Sequence, residues 1–419
     1  MTVALNLNDR DRFRDACIEG LDARYSSVPP AAAERLAHEL DVFEEHRLRP
    51  GLAIAAEVVA DAKAEGILVG PGHGAAASSL ACYALGITDI DPLANSLFFE
   101  RFFNPLRADT AHVGLMVQDD RVGEAGDCVA SHISVDLLGS VESAGQFESS
   151  DGVRQWNVGS VELSLVGSEV LSTIAHTTTL LRDRGIELDA RGLPGDDAAT
   201  FELLAGGNTD GVFEDDTQGI GRALREFEPT TLTDLSVVGA LFWPGGYELA
   251  PSNGLRQAFA DEKPKDSGAV DALLARFRPQ GFDRLVDIIE ARHTGHSSRY
   301  GVPLDAAVAA TAGTVVFQEQ VIELAVMRGL SPEEGDALRY AAGRHDRAPL
   351  KHAEQQWRAG PASREVDAYA AGRAWGDILC AADWMMCKAH ALAHARVRYE
   401  AAYLKANHPE EFAAAAFAT

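Results

Sequence analysis

The sequence has no continuous run of about 18 apolar residues, and residues 1–14 do not follow the basic-then-apolar order of an export signal. A transmembrane helix needs about 20 predominantly apolar residues, and a signal peptide needs an apolar core behind a positively charged start. These two absences argue against a membrane protein and against a secreted one. We therefore expect a cytoplasmic protein without a membrane partner.

Cysteine is also scarce. The five cysteines are odd in number and widely spaced, and no two of them form a Cys-x-x-Cys pair: Cys17, Cys82, Cys128, Cys380 and Cys387. Disulfide frameworks use even sets of cysteines, and zinc sites built on cysteine use closely spaced pairs. The pattern indicates neither, and predicts reduced thiols that are mostly buried.

Positive charge is the third deficit. The chain of 419 residues has 37 Lys and Arg against 63 Asp and Glu, a formal net charge of −26. Nucleic-acid affinity comes largely from basic side chains that displace counterions from phosphates, so this balance argues against strong nucleic-acid binding. With 46% hydrophobic and 24% charged residues, the composition is otherwise that of an ordinary globular protein. The chain is long enough to form the hydrophobic cores of two or three domains.

Hydrophobic periodicity divides the chain into two parts. It predicts helices over residues 10–25, 31–46, 52–65 and 96–103, then antiparallel strands over residues 113–118, 129–138 and 158–166. After Gly167 nearly every segment has a helical pattern. We predict a mixed α+β domain over residues 1–166 and a mainly helical domain over residues 167–419.

The most informative segment is a glycine loop, residues 70–74, which reads Gly-Pro-Gly-His-Gly. It follows the apolar residues Ile67, Leu68 and Val69 and precedes a helix-forming run, residues 75–84. A glycine-rich turn can aim backbone N–H groups at an anion while the next helix adds its positive end, so the segment predicts a phosphate cradle. The loop itself contains no lysine or arginine.

Residues 66–93 and the run from Phe99 to Pro105, Phe-Glu-Arg-Phe-Phe-Asn-Pro, resemble the palm of the bacterial DNA polymerase III alpha subunits, the C-family polymerases. Later segments are similar to finger-domain landmarks of the same family, in the same order: Pro194-x-Asp196-Asp197, Thr209-x-Gly211-Val212-Phe213, Phe317-Gln318-Glu319-Gln320, Asp336-x-Leu338-Arg339, Lys388-x-His390 and Leu404-Lys405-x-x-His408-Pro409. The resemblance covers almost the whole chain.

The resemblance implies an α+β fold, with a nucleotidyltransferase-like mixed sheet in the palm (residues 1–166) and mainly helical fingers (residues 167–419). We expect the family's N-terminal phosphoesterase-like (PHP) domain to be missing. About 40 residues separate His112 from Val158, too few for the inserted thumb. We also expect the C-terminal DNA-binding and clamp-binding domains to be missing.

Polymerases of this family hold two Mg²⁺ ions with three aspartates, which the resemblance aligns with His112, Gly114 and Ser164. We therefore expect no two-magnesium site and no active DNA polymerase. Three nearby acids, Asp109, Asp119 and Asp120, could replace the lost carboxylates, but a solvated turn is the simpler interpretation.

The predicted nucleotide cradle differs from the family as well. The family's loop reads Pro-Gly-Arg-Gly-Ser, and here the arginine is His73 and the serine is Ala75. In the fingers, Trp243 replaces an arginine and Glu214 a glutamine. A small phosphorylated or nucleotide-like ligand remains a hypothesis, with these candidate binding residues: Gly70, Gly72, His73, Gly74, Ser78, Ser79, Arg339, Arg344 and Lys388.

Three functions follow. The first is a pseudoenzyme or scaffold that binds a protein partner or a phosphorylated ligand. The second is a repurposed enzyme acting on a small molecule, as in a biosynthetic pathway, for which the candidate catalytic residues are His112, His73, Lys388 and His390. The third is a non-catalytic accessory of DNA replication or repair. No cofactor is expected, and a histidine-bound metal is the less favoured alternative.

Overall fold

The computed structural model describes residues 7, 9–107, 110–133, 146–148, 153–213, 218–242, 279–295, 298–359 and 366–417. They form two compact units. The first consists of Met1–Pro194, Gly211–Glu214 and Leu392–Thr419, and the second of Gly195–Asp210 and Asp215–Ala391. Sequence predictions for Asp109, Glu214 and Trp243 fall outside the described residues.

Three helices open the first unit, as predicted: α1 (Arg10–Arg24), α2 (Pro30–Glu45) and α3 (Arg49–Ala64). Asp9 caps α1 by accepting hydrogen bonds from the backbone N–H groups of Asp11 and Arg12. Prolines stand in the first turns of α2 and α3, where the missing N–H costs nothing.

The helix-forming run after the glycine loop is broken in two. A 3₁₀ turn over Ala76–Ser78 is followed by α4 (Leu80–Ala84), and Ser79 between them is extended. The Ser79 hydroxyl accepts a hydrogen bond from the N–H of Cys82 and so begins the second piece. The helix predicted over residues 96–103 is shorter than expected, α5 (Phe99–Phe102).

A mixed sheet forms the centre of the first unit. Its strands are β1 (Ala111–Gln118), β2 (Gln146–Glu148), β3 (Arg154–Val158) and β4 (Val161–Ser168), in the order β1-β4-β3-β2. β2, β3 and β4 pair antiparallel, but β1 and β4 run parallel, so the predicted antiparallel pairing is wrong for these two. The long connection between β1 and β4 permits the parallel pairing.

One predicted strand is also wrong. Residues 129–133 are the end of helix α6 (Val122–Ile133), and residues 134–138 lie outside the described part of the chain. The buried residues Ala125, Cys128 and Val129 recur at helical spacing, which outweighs the β propensity of Val129. Helix α7 (Glu169–Asp183) follows β4 directly, with Ser168 as its N-cap.

The second unit is helical, as expected. Its helices in the described residues are α8 (Ala198–Ala205), α9 (Gln218–Phe227), α10 (Leu232–Phe242), α11 (Pro279–Thr294), α12 (Asp305–Val308), α13 (Gln318–Met327), α14 (Pro332–Gly343), α15 (Arg347–Ala359) and α16 (Ala368–Ala381).

Two helices complete the chain. α17 (Lys388–Asn407) begins in the second unit, and its residues from Leu392 onward belong to the first, as does α18 (Pro409–Ala416). The α+β class with a mixed sheet and a mainly helical part is thus confirmed, whereas the predicted division at residue 166 stays a prediction. Among the described helices, none has the length and apolar character needed to cross a membrane.

Candidate functional site

The glycine loop lies along the free edge of β1. Val69 pairs with Val117 and His73 with Gly114 as isolated antiparallel bridges, and the N–H of Gly70 donates to the carbonyl of Met116 at 2.7 Å. Some of the backbone groups that a phosphate cradle would offer are therefore already used by the strand.

Two of the glycines are required by backbone conformation. Gly72 has a φ of +140° and Gly74 a φ of +69°, both in the region that side chains disfavour. The loop therefore has the pivoting shape that the sequence predicts, whatever it binds.

The side chain of His73 covers Gly114. A Cβ atom at position 114 would lie 2.8 Å from Cδ2 of His73 and 3.0 Å from its Cβ, closer than such atoms normally approach. Gly114 is one of the positions that the resemblance aligns with a metal-binding aspartate. The space such an aspartate would need is therefore filled by the histidine.

The three aligned positions lie together on the paired strands β1 and β4. Gly114 is the register partner of Ser164, and the Ser164 hydroxyl is hydrogen-bonded to Nε2 of His112 at 2.9 Å. Oε1 of Glu162 lies 3.7 Å from the same nitrogen. An imidazole, a glycine and a hydroxyl thus stand where the resemblance implies three aspartates, and the carboxylate of Glu162 lies beside them.

Both histidines of this site favour the neutral form. Burial and, to a smaller extent, the nearby His112 lower the pKa of His73 to about 4. Burial also lowers the pKa of His112, where Glu162 opposes the shift and Arg101 adds to it. At neutral pH neither imidazole replaces the fixed charge of the family's arginine.

Asp119 and Asp120 lie at the other end of β1. They belong to a 3₁₀ turn, Asp119–Arg121, whereas His112 is the second residue of the strand, so about 20 Å of extended chain separates them. Asp120 accepts hydrogen bonds from Gln118 and Ser172 and pairs with His176. This geometry favours the solvated-turn interpretation over replacement of the metal ligands.

The two predicted serines are engaged in a buried network. The Ser79 hydroxyl donates to Glu39 at 2.7 Å, and the backbone carbonyl of Ser78 accepts a hydrogen bond from Arg35, which also pairs with Glu39. Ser78, Ser79 and Glu39 are all fully buried. Their roles as ligand-binding residues stay predictions, and the contacts favour a structural role.

The remaining predicted residues belong to the second unit. Lys388 begins α17, where its N–H donates to Glu319 at 2.7 Å, and burial lowers the pKa of its ammonium group while Glu319 and Glu323 raise it. Arg339 is buried and pairs with Asp336 at 2.8 Å. Arg344 stacks on Tyr340, with 5.4 Å between its guanidinium carbon and the ring centroid.

The sequence patterns do not identify one residue near His73, namely His394. The ring of His394 lies 5.6 Å from that of His73, centroid to centroid. His394 follows the predicted His390 by four residues on α17, so helical spacing was the available signal.

Comparison with known proteins agrees with this architecture. The family model described as the bacterial DNA polymerase III alpha NTPase domain matches residues 11–157, and the finger domain model of the same subunit matches residues 170–250 and 248–365. The chain belongs to the bacterial DNA polymerase III alpha family. The NTPase-domain match includes the glycine loop, His112 and Gly114.

Polymerase III alpha subunits from several bacteria are similar over nearly the whole chain. The subunit of Mycobacterium tuberculosis is 27% identical over 512 residues, covering 94% of this chain and 41% of the relative. That of Halalkalibacterium halodurans is 25% identical, covering 98% and 43%, and that of Thermus aquaticus 25% identical, covering 92% and 38%. The chain spans about two fifths of these relatives.

The aligned span also exceeds the chain itself. It runs to 512 residues with the polymerase III alpha subunit of Mycobacterium tuberculosis, whereas this chain has 419. The relative therefore contains residues within the span that this family member lacks. The expected loss of the thumb insertion stays a prediction.

Proposed function

We propose that this chain is a polymerase III alpha-like protein that does not catalyse nucleotidyl transfer and instead acts as a binding scaffold. Two-metal transfer requires closely spaced carboxylates that hold both ions. The observation that carries the proposal is the packing of His73 over Gly114, because it fills the space that one of those carboxylates needs. At the other two aspartate positions, the Ser164 hydroxyl and Nε2 of His112 are hydrogen-bonded to each other.

The same geometry disfavours binding of a triphosphate ligand. Phosphate binding relies on charged donors and on free backbone N–H groups. Here the loop's histidine is held neutral, and the N–H of Gly70 is bound to Met116. We propose that the scaffold mainly binds a protein partner and that it binds nucleotides only weakly.

The first prediction concerns this loss of activity. On a primed DNA template with all four deoxynucleotides and Mg²⁺ or Mn²⁺, we expect no primer extension. We also expect dATP with Mg²⁺ at about 1 mM to add less than about 0.4 kcal/mol of stability, the gain at a Kd equal to the ligand concentration. Extension products and the thermal melting temperature are the measurements.

A bacterial polymerase III alpha subunit assayed in parallel provides the positive control. Extension by this chain that disappears in His112→Ala would overturn the proposal. A large increase in melting temperature with dATP, without primer extension, would contradict only the proposal that nucleotides bind weakly.

A second candidate function is an enzyme for a small molecule. It rests on the hydrogen bond of 2.9 Å between the Ser164 hydroxyl and Nε2 of His112. A neutral imidazole can take the hydroxyl proton and so activate the oxygen as a nucleophile. Glu162 faces the same nitrogen rather than the opposite one, so the arrangement is a dyad and not a Ser-His-Asp triad.

The second prediction tests this dyad with a small fluorophosphonate. Ser164 Oγ would bond to phosphorus, fluoride would leave, and His112 would take the proton. Because burial lowers the pKa of His112, labelling should persist below pH 6.5 and fall only at lower pH, as the imidazole becomes protonated.

Labelled peptides identified by mass spectrometry give the readout. We expect Ser164→Ala to abolish labelling and His112→Ala to slow it at least about tenfold. His176→Ala, which removes a histidine bonded to Asp120 outside the dyad, is the control. Unlabelled Ser164 at every pH would remove this candidate.

A further inference from the structure

A single histidine joins helices α3 and α6 by lying between two carboxylates. Nε2 of His132, in the last turn of α6, lies 2.8 Å from Oδ2 of Asp61, and its Nδ1 lies 3.3 Å from Oε2 of Glu57. Glu57 and Asp61 are four residues apart on α3, so they lie on one face of that helix. Both ring nitrogens of His132 therefore contact α3 at the same time.

Only the protonated ring can donate a hydrogen bond to both carboxylates. An imidazolium carries an N–H group on each nitrogen, whereas a neutral imidazole has one donor and one acceptor. A neutral ring would direct its lone pair at a carboxylate oxygen, so one of the two contacts would have to open. The hydrogen bond to Glu57 raises the pKa of His132, burial opposes this shift, and Asp61 adds to it.

We propose that His132, Glu57 and Asp61 form a pH-dependent clamp, which holds the end of α6 against α3 while the imidazole is protonated and opens when the proton leaves. The clamp borders an apolar contact, because Ala62 of α3 and Val129 of α6 belong to one core. Helix α6 also packs against β1 and β4, the strands of the candidate site. An open clamp would therefore weaken the packing beside those strands.

The charges around the clamp are mostly acidic. Among the described residues, Glu57 and Asp61 are the charged side chains that contact His132. One turn earlier on α6, Sγ of Cys128 lies 3.8 Å from Oε2 of Glu65. Arg121 pairs with Glu124 at 2.5 Å, so the clamp depends on the charge of His132 itself. Further charged or titratable side chains lie on α6 or on the elements packed against it: Asp127, Asp119, Asp120, Lys63, His112, Arg154 and Glu162.

The direction of the pH dependence follows from the raised pKa of His132. A histidine whose pKa is higher in the folded chain stabilises the fold fully below the unfolded value, about 6.5, and loses this contribution as the pH rises through the folded value. The carboxylates set the acid limit: the hydrogen bond to His132 is the main cause that lowers the pKa of Glu57, and protonation of Glu57 would also open the clamp. The clamp is therefore closed at mildly acidic pH and opens toward alkaline pH.

Nuclear magnetic resonance of the full chain with carbon-13-labelled histidine rings measures the clamp directly. We expect His132, assigned from the signal lost in His132→Gln, to titrate with a midpoint above 6.5. Amide exchange over α6, corrected for the intrinsic effect of pH, should become faster through the same midpoint. Since one pH unit corresponds to about a tenfold change in an equilibrium constant, protection should fall about tenfold for each unit by which the midpoint exceeds the unfolded value.

Two variants separate a clamp from a histidine that merely titrates. Glu57→Gln and Asp61→Asn should each lower the His132 midpoint and reduce the pH dependence of exchange in α6. Asp383→Asn is the matched control, because it removes the carboxylate that lies 2.8 Å from Nε2 of the exposed His345, and it should change neither quantity. A His132 midpoint at or below 6.5, or exchange in α6 that stays constant while His132 titrates, would contradict the clamp.

Discussion

An aspartate at position 114 is expected to lower the free energy of unfolding of the first unit by about 3 kcal/mol or more. Its Cβ alone would come within 2.8 Å of the His73 ring, and overpacking of this kind costs about 1–3 kcal/mol. The carboxylate would then be buried beside a neutral imidazole, which adds a desolvation cost.

Amide hydrogen exchange is the appropriate measurement, because a chain with two compact units need not unfold in one step. We expect faster exchange throughout β1 and β4. Gly123→Asp is the matched control: a Cβ at that position meets no atom within 4 Å, so its effect should stay within about 0.5 kcal/mol.

The double variant His73→Ala with Gly114→Asp separates the two causes. Removing the ring relieves the closest contact, so we expect a favourable coupling of about 1–2 kcal/mol between the two substitutions. Additive effects would show that the ring of His73 does not exclude the aspartate, because the Cβ and the backbone oxygen of residue 73, 3.0 and 3.1 Å from the added Cβ, remain in the double variant. The central observation behind the loss of catalysis would then be wrong.

These two positions show what alignment alone does not reveal. In the sequence, histidine for arginine at position 73 and glycine for aspartate at position 114 are two separate departures from the family. In the structure they are one contact, because the ring of the first occupies the volume vacated by the second. Restoring only one of the family's residues should therefore not restore the polymerase site.

The sequence predicted features that depend on local signals. Helices α1 to α3 were predicted from apolar spacing and prolines, and the turn at residues 70–74 from its glycines. The alignment brought His112, Gly114 and Ser164 to one site, because it carries the topology of a known sheet. These predictions needed no knowledge of distant contacts.

The failures have physical causes of the opposite kind. The parallel pairing of β1 with β4 depends on a long connection. The strand prediction for residues 129–133 fails because a short apolar run fits either a strand or a helix period. The contacts of Arg191 with Glu400 join residues 209 positions apart. No pattern of single residues identifies such a pair.

That pair belongs to a buried cluster that supports the glycine loop. Glu400, on α17, is fully buried and pairs with Arg191 and Arg396, each at 2.8 Å. Arg191 also donates to the carbonyl of Val69 at 3.0 Å, directly before the loop. Burial raises the pKa of Glu400 while the two guanidinium groups lower it.

Glu400→Gln should lower the free energy of unfolding of the first unit by about 3–5 kcal/mol, because the fully buried carboxylate is removed from two half-buried guanidinium groups that both pair with it. The loss should extend to the loop through Arg191. We expect faster amide hydrogen exchange over residues 68–74 and a lower melting temperature, and these two quantities are the measurements.

Glu226→Gln is the control for this change, since Glu226 pairs with Arg222 at 2.9 Å but its side chain is 49% exposed. An exposed pair one turn apart on a helix contributes only about 0.3–0.5 kcal/mol, so this variant should melt almost like the parent. If Glu400→Gln were as mild as the control, the cluster would not hold the loop. The shape of residues 70–74 would then depend on other contacts, among them its bridges to β1 and the hydrogen bond from Asp89 N–H to the Pro71 carbonyl.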